Sequence, residues 1–167
     1  MGDVVELTKH FVSVPSPNLP GDERAMASAV REFCLLNGLD DVAVVGMTPE
    51  RPNVLISLDF GSGGRHLALS GHLDTKPVGD ADWSTDPFVG EVIEGNLHGL
   101  GTCDMKGAIA AMLLATVQVA NEGLASGRLT PVLTADEEYG SRYGSRYLAE
   151  EGLVDADAIV IGEPGGI

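Results

Sequence analysis

The sequence is poor in cysteine, in aromatic residues and in positive charge. Its 167 residues include two cysteines, Cys34 and Cys103, and only 5% are aromatic. So few cysteines, far apart and without a CxxC pair, argue against a disulfide-stapled secreted domain. Lys and Arg total 10 against 25 Asp and Glu, which gives a net charge of −15. Because nucleic acids and anionic membranes attract basic surfaces, neither is an expected partner.

Targeting signals and membrane spans are also missing from the pattern. The first residues, MGDVVELTKHFVSV, carry acidic side chains early instead of the basic and then apolar regions of a signal peptide. No stretch approaches the roughly 20 apolar residues that a membrane helix needs. We therefore expect a cytoplasmic protein. Its length fits one domain, and 44% hydrophobic residues are enough to form a core.

Apolar runs alternate with amphipathic segments along the chain. Apolar residues at helical spacing predict helices over residues 4–12, 21–36, 104–119 and 141–150. Short apolar runs predict strands over residues 53–60, 66–70, 129–134 and 156–161, with an extended pair or a single strand over 90–99. Residues 76–88 read as a long loop. This alternation predicts an α/β layered fold with a mostly parallel sheet.

Residue types that can bind metals follow three of these strands. They are His72 and Asp74 after the second strand, Glu137 and Glu138 after the third, and Glu163 after the fourth, with Asp104 at the start of the long helix. Because the carboxyl ends of parallel strands meet at one edge of a sheet, we expect these groups to gather there. One histidine and several carboxylates suit Zn²⁺, Co²⁺ or Mn²⁺. The number of candidate ligands favours two ions, which could share and acidify a water molecule.

Two pairs of neighbouring residues suggest supporting roles. Residues two apart on a strand face the same side, so Asp74 can accept a hydrogen bond from the second ring nitrogen of His72. Of Glu137 and Glu138, one can bind metal while the other takes a proton from the water.

Each of these residues also has an ordinary structural interpretation. His72 alone could be a core or loop histidine. Asp104 could cap the helix that follows it. The acidic residues Glu137, Glu138 and Glu163 could be solvated loop side chains. What favours the metal site is the position of these groups at strand ends within one alternating pattern. No single residue would favour it alone.

Four motifs resemble the signatures of the M20 metallopeptidases. They are GHLDT at 71–75, GLGTCDMKG at 99–107, TADEEYGS at 134–141 and GEP at 162–164. That family includes acetylornithine deacetylase, succinyl-diaminopimelate desuccinylase, aminoacylase and glutamate carboxypeptidase. The order and spacing of the motifs match along nearly the whole chain, and this is far more specific than any one motif. The resemblance implies a three-layer αβα sandwich of the zinc-peptidase type.

The resemblance also implies a role for each motif residue. Asp104 would bridge two divalent ions, most often Zn²⁺, with His72 and Glu163 on one ion and Glu138 on the other. Glu137 would be the general base, Asp74 would orient His72, and the peptide after Asp104 would be cis. The implied reaction is hydrolysis of an amide bond in an N-acyl amino acid or small peptide.

Members of that family are typically much longer than this chain. They carry a lid domain, through which many form homodimers, and a C-terminal catalytic segment that supplies a final histidine to the second metal. We therefore expect residues 1–167 to be the N-terminal part of the di-zinc catalytic domain, without the lid and C-terminal segment, and to be weak or inactive alone. Two alternatives remain: a non-catalytic metal-binding module of the same fold and a related di-zinc aminopeptidase.

Overall fold

The computed structural model describes residues 3–80 and 82–165. Its helices are α1 (Val4–Val12), α2 (Arg24–Leu36), α3 (Gly107–Glu122) and α4 (Ser145–Glu150). Two short helical turns, Thr102–Lys106 and Glu137–Tyr139, precede α3 and follow the seventh strand. The strands are β1 (Val42–Val45), β2 (Asn53–Ile56), β3 (Leu58–Asp59), β4 (His66–His72), β5 (Glu91–Ile93), β6 (Asn96–His98), β7 (Arg128–Thr134) and β8 (Ala158–Ile161).

Six of the strands form one mixed sheet. Its order is β1-β2-β7-β4-β8, with β3 also beside β7. Strands β7, β4 and β8 are mutually parallel, whereas β2 is antiparallel to both β1 and β7. It follows that β1, β4, β7 and β8 share one direction, which confirms the predicted α/β fold with a mostly parallel sheet. The remaining strands, β5 and β6, form a separate antiparallel pair, which is the first of the two alternatives predicted for residues 90–99.

Two apolar clusters lie on opposite faces of this sheet. Val54 and Ile56 belong to the larger cluster, whereas Leu55 between them belongs to the smaller one. Because successive strand residues point to opposite faces, the clusters occupy the two sides. Buried residues of α1, α2 and α3 pack in the larger cluster, and Leu148 of α4 packs in the smaller. The architecture is therefore three-layered, with far more helix on one face.

Several element boundaries differ from the predicted ones. Strand β1 was not predicted; its four residues, VAVV, form a short apolar run, and all four are partly or fully exposed. The predicted strand over 53–60 is divided into β2 and β3, which both pair with β7. Helix α4 starts at Ser145, four residues later than expected, because Ser141 has a positive φ of 59°.

The expectation that no segment approaches a membrane span needs correction. Among the described residues, the segment Thr102–Glu122 has the length and the apolar composition to cross a membrane, with a mean hydropathy of 1.3. The core helix of a soluble protein can have the same length and composition, and Ile109 and Leu113 are fully buried in the larger cluster. A kink at Asp104 and Met105 also divides the segment. The regular helix α3 has 16 residues, or roughly 24 Å.

The edge strand β8 is apolar and uncovered. Ile159, Val160 and Ile161 are 55%, 53% and 62% exposed. One side of β8 pairs with β4, and within residues 3–80 and 82–165 no strand pairs with its other side. Exposed apolar edges of this kind readily pair with other strands.

Candidate metal centre

The candidate centre lies where β4 ends, between its neighbours β7 and β8. His72 is the last residue of β4 and is in register with Thr134 at the end of β7. On the other side, Ser70 of β4 is in register with Ile161 at the end of β8. The segments that follow β7 and β8 therefore emerge beside His72, as expected for parallel strands.

Three predicted ligands converge at this point. His72 Nε2 lies 2.9 Å from Asp104 Oδ1 and 3.4 Å from Glu163 Oε1. One ligand atom from each residue lies within 4.8 Å of the others. We call His72, Asp104 and Glu163 the three-ligand cluster. One nitrogen and two carboxylate oxygens at this spacing fit a borderline divalent cation.

Asp74 fixes the orientation of the His72 ring. His72 is 1% exposed, and its Nδ1 lies 2.8 Å from the backbone carbonyl oxygen of Asp74 and 3.5 Å from its Oδ1. The nearer partner of His72 Nδ1 is thus the backbone carbonyl of Asp74, whereas the predicted partner was the Asp74 carboxylate. With Nδ1 directed at Asp74, Nε2 faces the two carboxylates. This is the usual arrangement of a metal-binding histidine.

The same surroundings change the affinity of His72 for protons. Burial alone would lower the pKa of His72. The hydrogen bond and charge of Asp74, the hydrogen bond to Asp104 and the charge of Glu163 raise it by more than burial lowers it, and the resulting pKa is about 9. His72 is therefore mostly cationic at neutral pH when no metal is bound, and a metal ion at Nε2 would have to replace that proton.

Asp104 reaches the cluster from a break in the helical segment. Asp104 and Met105 have non-helical backbone angles, so α3 begins only at Gly107 and not at 104 as predicted. The residue before α3 is Lys106, and no side chain caps the helix, so Asp104 does not act as its cap. The Asp104–Met105 peptide is cis, as the family resemblance implied. The backbone N–H of His72 donates to Met105 Sδ at 3.2 Å, which links this turn to β4.

Packing beneath the cluster is close at the glycines that precede two of its ligands. A Cβ at Gly162, next to Glu163, would lie 2.6 Å from Met112 Cε and 2.9 Å from Ala108 Cβ. A Cβ at Gly71, next to His72, would lie 2.9 Å from Met105 Cε. Real Cβ contacts are essentially never this short, so both glycines let the segment around α3 approach the strand ends.

Negative charge accumulates around Glu163. Burial and the negative charges of Asp104, Glu137 and Glu138 raise the pKa of the Glu163 carboxyl, whereas the charge of His72 lowers it. The net effect is an increase. Carboxylates that oppose each other's ionisation in this way are stabilised by a bound cation.

Glu137 and Glu138 have different surroundings. The Glu137 side chain is 44% exposed, and its Oε2 lies 3.9 Å from His72 Nε2. The Glu138 side chain is only 5% exposed and forms an ion pair with Lys76 through Oε2. Its Oε1 is buried and has no hydrogen-bond partner in the described part of the chain. Glu138 thus lies outside the three-ligand cluster, and its free oxygen is the kind of group that a second cation would satisfy.

The fully buried Asp74 also holds the loop that carries these two residues. Its Oδ1 accepts from the backbone N–H of Glu137 at 3.1 Å, and its Oδ2 accepts from that of Glu138 at 3.0 Å and from Asn18 Nδ2 at 2.9 Å. Burial raises the pKa of Asp74, but hydrogen bonds from His72, Asn18 and Glu138 lower it overall. Asp74 therefore links the His72 ring to the loop of Glu137 and Glu138.

Three residues near the site were not among the predicted site residues: Asn18, Arg51 and Lys76. Lys76 was placed at the start of the predicted loop over 76–88, and no role was predicted for Asn18 or Arg51. No local pattern marks them, because their partners lie 28 to 118 positions away. Arg51 is only 8% exposed, and nothing in its local sequence indicates that burial.

A sheet edge that gathers one histidine and several carboxylates defines an α/β protein with a candidate metal centre, and the comparisons with known proteins agree. The model of Peptidase family M20/M25/M40 matches residues 68–167, which is 100 of the 167 residues. The chain belongs to this family.

Similar curated proteins include two bacterial desuccinylases. The succinyl-diaminopimelate desuccinylase of Rhizorhabdus wittichii is 34% identical, with 98% of this chain and 43% of the relative covered. That of Phenylobacterium zucineum is 36% identical, with 97% and 42% covered. The chain thus spans less than half the length of these relatives.

Solved structures of other peptidases share the fold. The M20 metallo-carboxypeptidase Sso-CP2 from Sulfolobus solfataricus superposes with a TM-score of 0.79 at 19% identity, covering 99% of this chain and 38% of that one. Human carnosine dipeptidase 1 gives 0.77 at 26% identity, covering 95% and 37%. YXEP of Bacillus subtilis, described as a dinuclear metal-binding peptidase, gives 0.70 at 15% identity, covering 95% and 41%.

Proposed function

We propose that this chain is the N-terminal part of a zinc-dependent hydrolase that cleaves the amide bond of an N-acyl amino acid or small peptide. The observation that carries the proposal is the convergence of His72, Asp104 and Glu163 within 4.8 Å at the edge of the sheet. Family membership supports amide hydrolysis in general, and the proposal adds the residues, the metal and the substrate class.

The donor set determines which residues would hold the metal ions. His72, Asp104 and Glu163 would hold one ion, and Glu138 would hold a second ion with Asp104 as the bridge. The unpartnered Oε1 of Glu138 supports this assignment, as does the dinuclear description of the YXEP peptidase. Divalent ions at such a site supply Lewis-acid polarisation of the scissile carbonyl and a lower pKa for water.

The residues of the chain would bind, orient and move protons around these ions. Glu137 would take a proton from the attacking water and pass it to the leaving amine nitrogen. Its partial exposure and its place 3.9 Å from His72 Nε2 leave the carboxylate beside the cluster. Asp74 would hold the His72 ring and, through the backbone N–H groups of Glu137 and Glu138, keep the general base in place.

The relatives suggest which acyl group to test first. The two described above are named succinyl-diaminopimelate desuccinylases, so N-succinyl amino acids are our first candidate substrates, followed by N-acetyl amino acids and dipeptides. Because the chain spans less than half of these relatives, we also propose that the 167-residue chain turns over slowly alone. The cytoplasmic location stays a prediction.

Metal binding by the purified chain tests the proposal. We expect calorimetric titration with Zn²⁺ alone to show about one to two bound ions, and His72→Ala and Glu163→Gln to lose at least one of them. Glu151→Gln, an exposed residue after α4, is the matched control and should bind like the wild type. Unchanged zinc content in His72→Ala would overturn the assignment.

Substrate preference separates the remaining alternatives. Slow hydrolysis of N-succinyl or N-acetyl amino acids, abolished by Glu137→Gln, would support the hydrolase. Hydrolysis only of peptides with a free amino terminus would favour the di-zinc aminopeptidase. Zinc binding with no hydrolysis, in both this chain and any longer natural form of it, would favour the non-catalytic module.

A further inference from the structure

A buried polar network lies behind Asp74, on the side away from the three-ligand cluster. It consists of Asn18, Glu23, Arg51 and Asp136, which are 3%, 0%, 8% and 3% exposed. We call these four residues the Arg51 network. They come from three separate segments of the chain, with Asn18 and Glu23 both in the connection between α1 and α2, so only the folded structure brings all four together. Charged groups are rarely this buried unless they are paired.

Asn18 connects the network to the candidate centre. Its side-chain Nδ2 donates both hydrogens, to Asp74 Oδ2 at 2.9 Å and to Asp136 Oδ1 at 3.1 Å. Its Oδ1 accepts from Arg51 Nη2 at 3.1 Å. With donors and acceptor engaged, the amide has one orientation that satisfies all three partners. A shift of Asn18 would therefore move the Asp74 carboxylate.

Arg51 holds Asn18 from behind. Its Nη1 donates to Glu23 Oε1 at 2.6 Å, and its Nη2 lies 3.6 Å from Asp136 Oδ1. The guanidinium also stands 5.4 Å from the centre of the Tyr143 ring. A Cβ at Gly21 would lie 2.0 Å from the guanidinium carbon, so the chain leaves room for this group. Arg51 is thus fixed on several sides, and one cation serves the buried acids Glu23 and Asp136.

The chain of contacts leads from this buried cation to both halves of the centre. Arg51 holds Asn18, and Asn18 holds Asp74. The Asp74 carboxylate accepts from the backbone N–H groups of Glu137 and Glu138. Its Oδ1 also lies 3.5 Å from His72 Nδ1, and the backbone carbonyl of Asp74 lies 2.8 Å from the same nitrogen. The ligand on β4 and the loop carrying the proposed base and second ligand therefore share one support.

We propose that Asn18 and Arg51 are positioning residues for the metal centre: they set the Asp74 carboxylate and thereby the relative placement of His72 and the Glu137–Glu138 loop. This inference rests on the proposed metal-binding function. Neither residue touches the three-ligand cluster. Their effect passes through Asp74, and changing such indirect partners typically weakens metal binding roughly 10–100-fold.

Metal binding and the spectrum of bound Co²⁺ test the inference in the 167-residue chain. We expect Asn18→Ala to bind Zn²⁺ roughly 10–100-fold more weakly and to change the visible absorption bands of Co²⁺, which report the ligand geometry. Asn18→Ser, which keeps a hydroxyl donor, should recover part of the affinity. Arg51→Lys should also weaken binding, because an ammonium group lacks the planar fork that bridges Glu23 and Asn18. Arg24→Lys, in an exposed ion pair with Asp22, is the matched control.

The outcomes separate this inference from the proposed function. If the wild-type chain binds neither Zn²⁺ nor Co²⁺, the proposed function fails, and the inference fails with it. If the wild type binds and a folded Asn18→Ala variant shows the same affinity and the same Co²⁺ spectrum, only the inference is overturned. A loss of thermal stability with unchanged Co²⁺ bands would likewise assign the network a structural role alone. Should Arg51→Lys fail to fold, the comparison of Asn18→Ala with Asn18→Ser decides.

Discussion

Lys76 and Glu138 form an ion pair beside the three-ligand cluster. The Lys76 ammonium contacts Glu138 Oε2 and also donates to the Glu138 backbone carbonyl at 3.0 Å. The Glu138 side chain is 5% exposed and that of Lys76 is 62% exposed, so an exposed cation neutralises a buried carboxylate. The hydrogen bond to Glu138 and the charges of Glu138, Glu137 and Asp104 raise the pKa of Lys76, so the ammonium stays charged.

This ion pair predicts that Lys76 competes with a second metal ion. Replacing it in Lys76→Met removes the competing charge, and we expect Zn²⁺ to bind the Glu138 position about tenfold more tightly, which corresponds to about 1.4 kcal/mol. Calorimetric titration with Zn²⁺ measures the affinity and the number of ions bound. Lys9→Met removes a comparable ion pair, with the exposed Glu6 on α1, and should leave both unchanged. Identical titrations of Lys76→Met and the wild type would show that Lys76 does not compete.

Close packing at Gly162 predicts a cost for adding one methyl group there. In Gly162→Ala the new Cβ would meet Met112 and Ala108 at 2.6 and 2.9 Å, and overpacking of this kind typically costs about 1–3 kcal/mol. We expect a lower free energy of unfolding in urea and weaker Zn²⁺ binding, because Glu163 follows directly. Gly165→Ala is the matched control, since a Cβ there meets nothing within 4 Å. Equal stability of the two variants would contradict the packing argument.

Burial of Glu23 predicts a dependence of stability on pH. Burial raises its pKa and Arg51 lowers it, with a net value of about 7 against an ordinary value of 4.5. The folded state therefore holds the Glu23 proton more tightly than the unfolded state does. The resulting stabilisation is complete below about pH 4.5 and is lost as the pH rises through about 7.

The variant Glu23→Gln isolates this contribution. We expect the free energy of unfolding of the wild type, minus that of Glu23→Gln, to fall by up to about 3 kcal/mol between pH 4.5 and pH 8. Urea unfolding at several pH values measures the difference. Asp22→Asn, at the exposed neighbour, should show no such fall, because the pKa of Asp22 is lowered by its hydrogen bond with Arg24 to about 2. A difference between wild type and Glu23→Gln that is flat or rises with pH would contradict the prediction.

Site residues could be predicted from the sequence where a metal-binding residue type follows a regular strand. The positions of His72 and Glu163 could be predicted because β4 and β8 are parallel neighbours, and parallel strands bring their carboxyl ends together. Asp104 could be placed only roughly, since the backbone break at Asp104 and Met105 interrupts an otherwise regular helical pattern. The apolar stripe of α3 continues across that break, and it therefore conceals the true start of the helix.

The residues that position the site could not be predicted from local sequence patterns. Asn18 and Asp136 are 118 positions apart, and the bond between them depends on how two loops pack. Arg51 was equally hidden, because a lone arginine between Glu50 and Pro52 looks solvated until its burial is known. Residues that act through tertiary contacts carry no period and no motif, whereas the ligands that they support carry both.

The apolar edge of β8 predicts self-association of the purified chain. Val160 is 53% exposed on a strand whose outer side has no partner among the described residues, and such edges pair with other strands unless a charge blocks them. We expect sedimentation velocity to show association that increases with concentration, and Val160→Lys to reduce it. Val44→Lys is the matched control, because Val44 is 46% exposed on β1, the opposite edge of the same sheet. Equal suppression by both variants would mean that β8 is not the specific contact, and a wild-type chain that stays monomeric throughout would remove the prediction altogether.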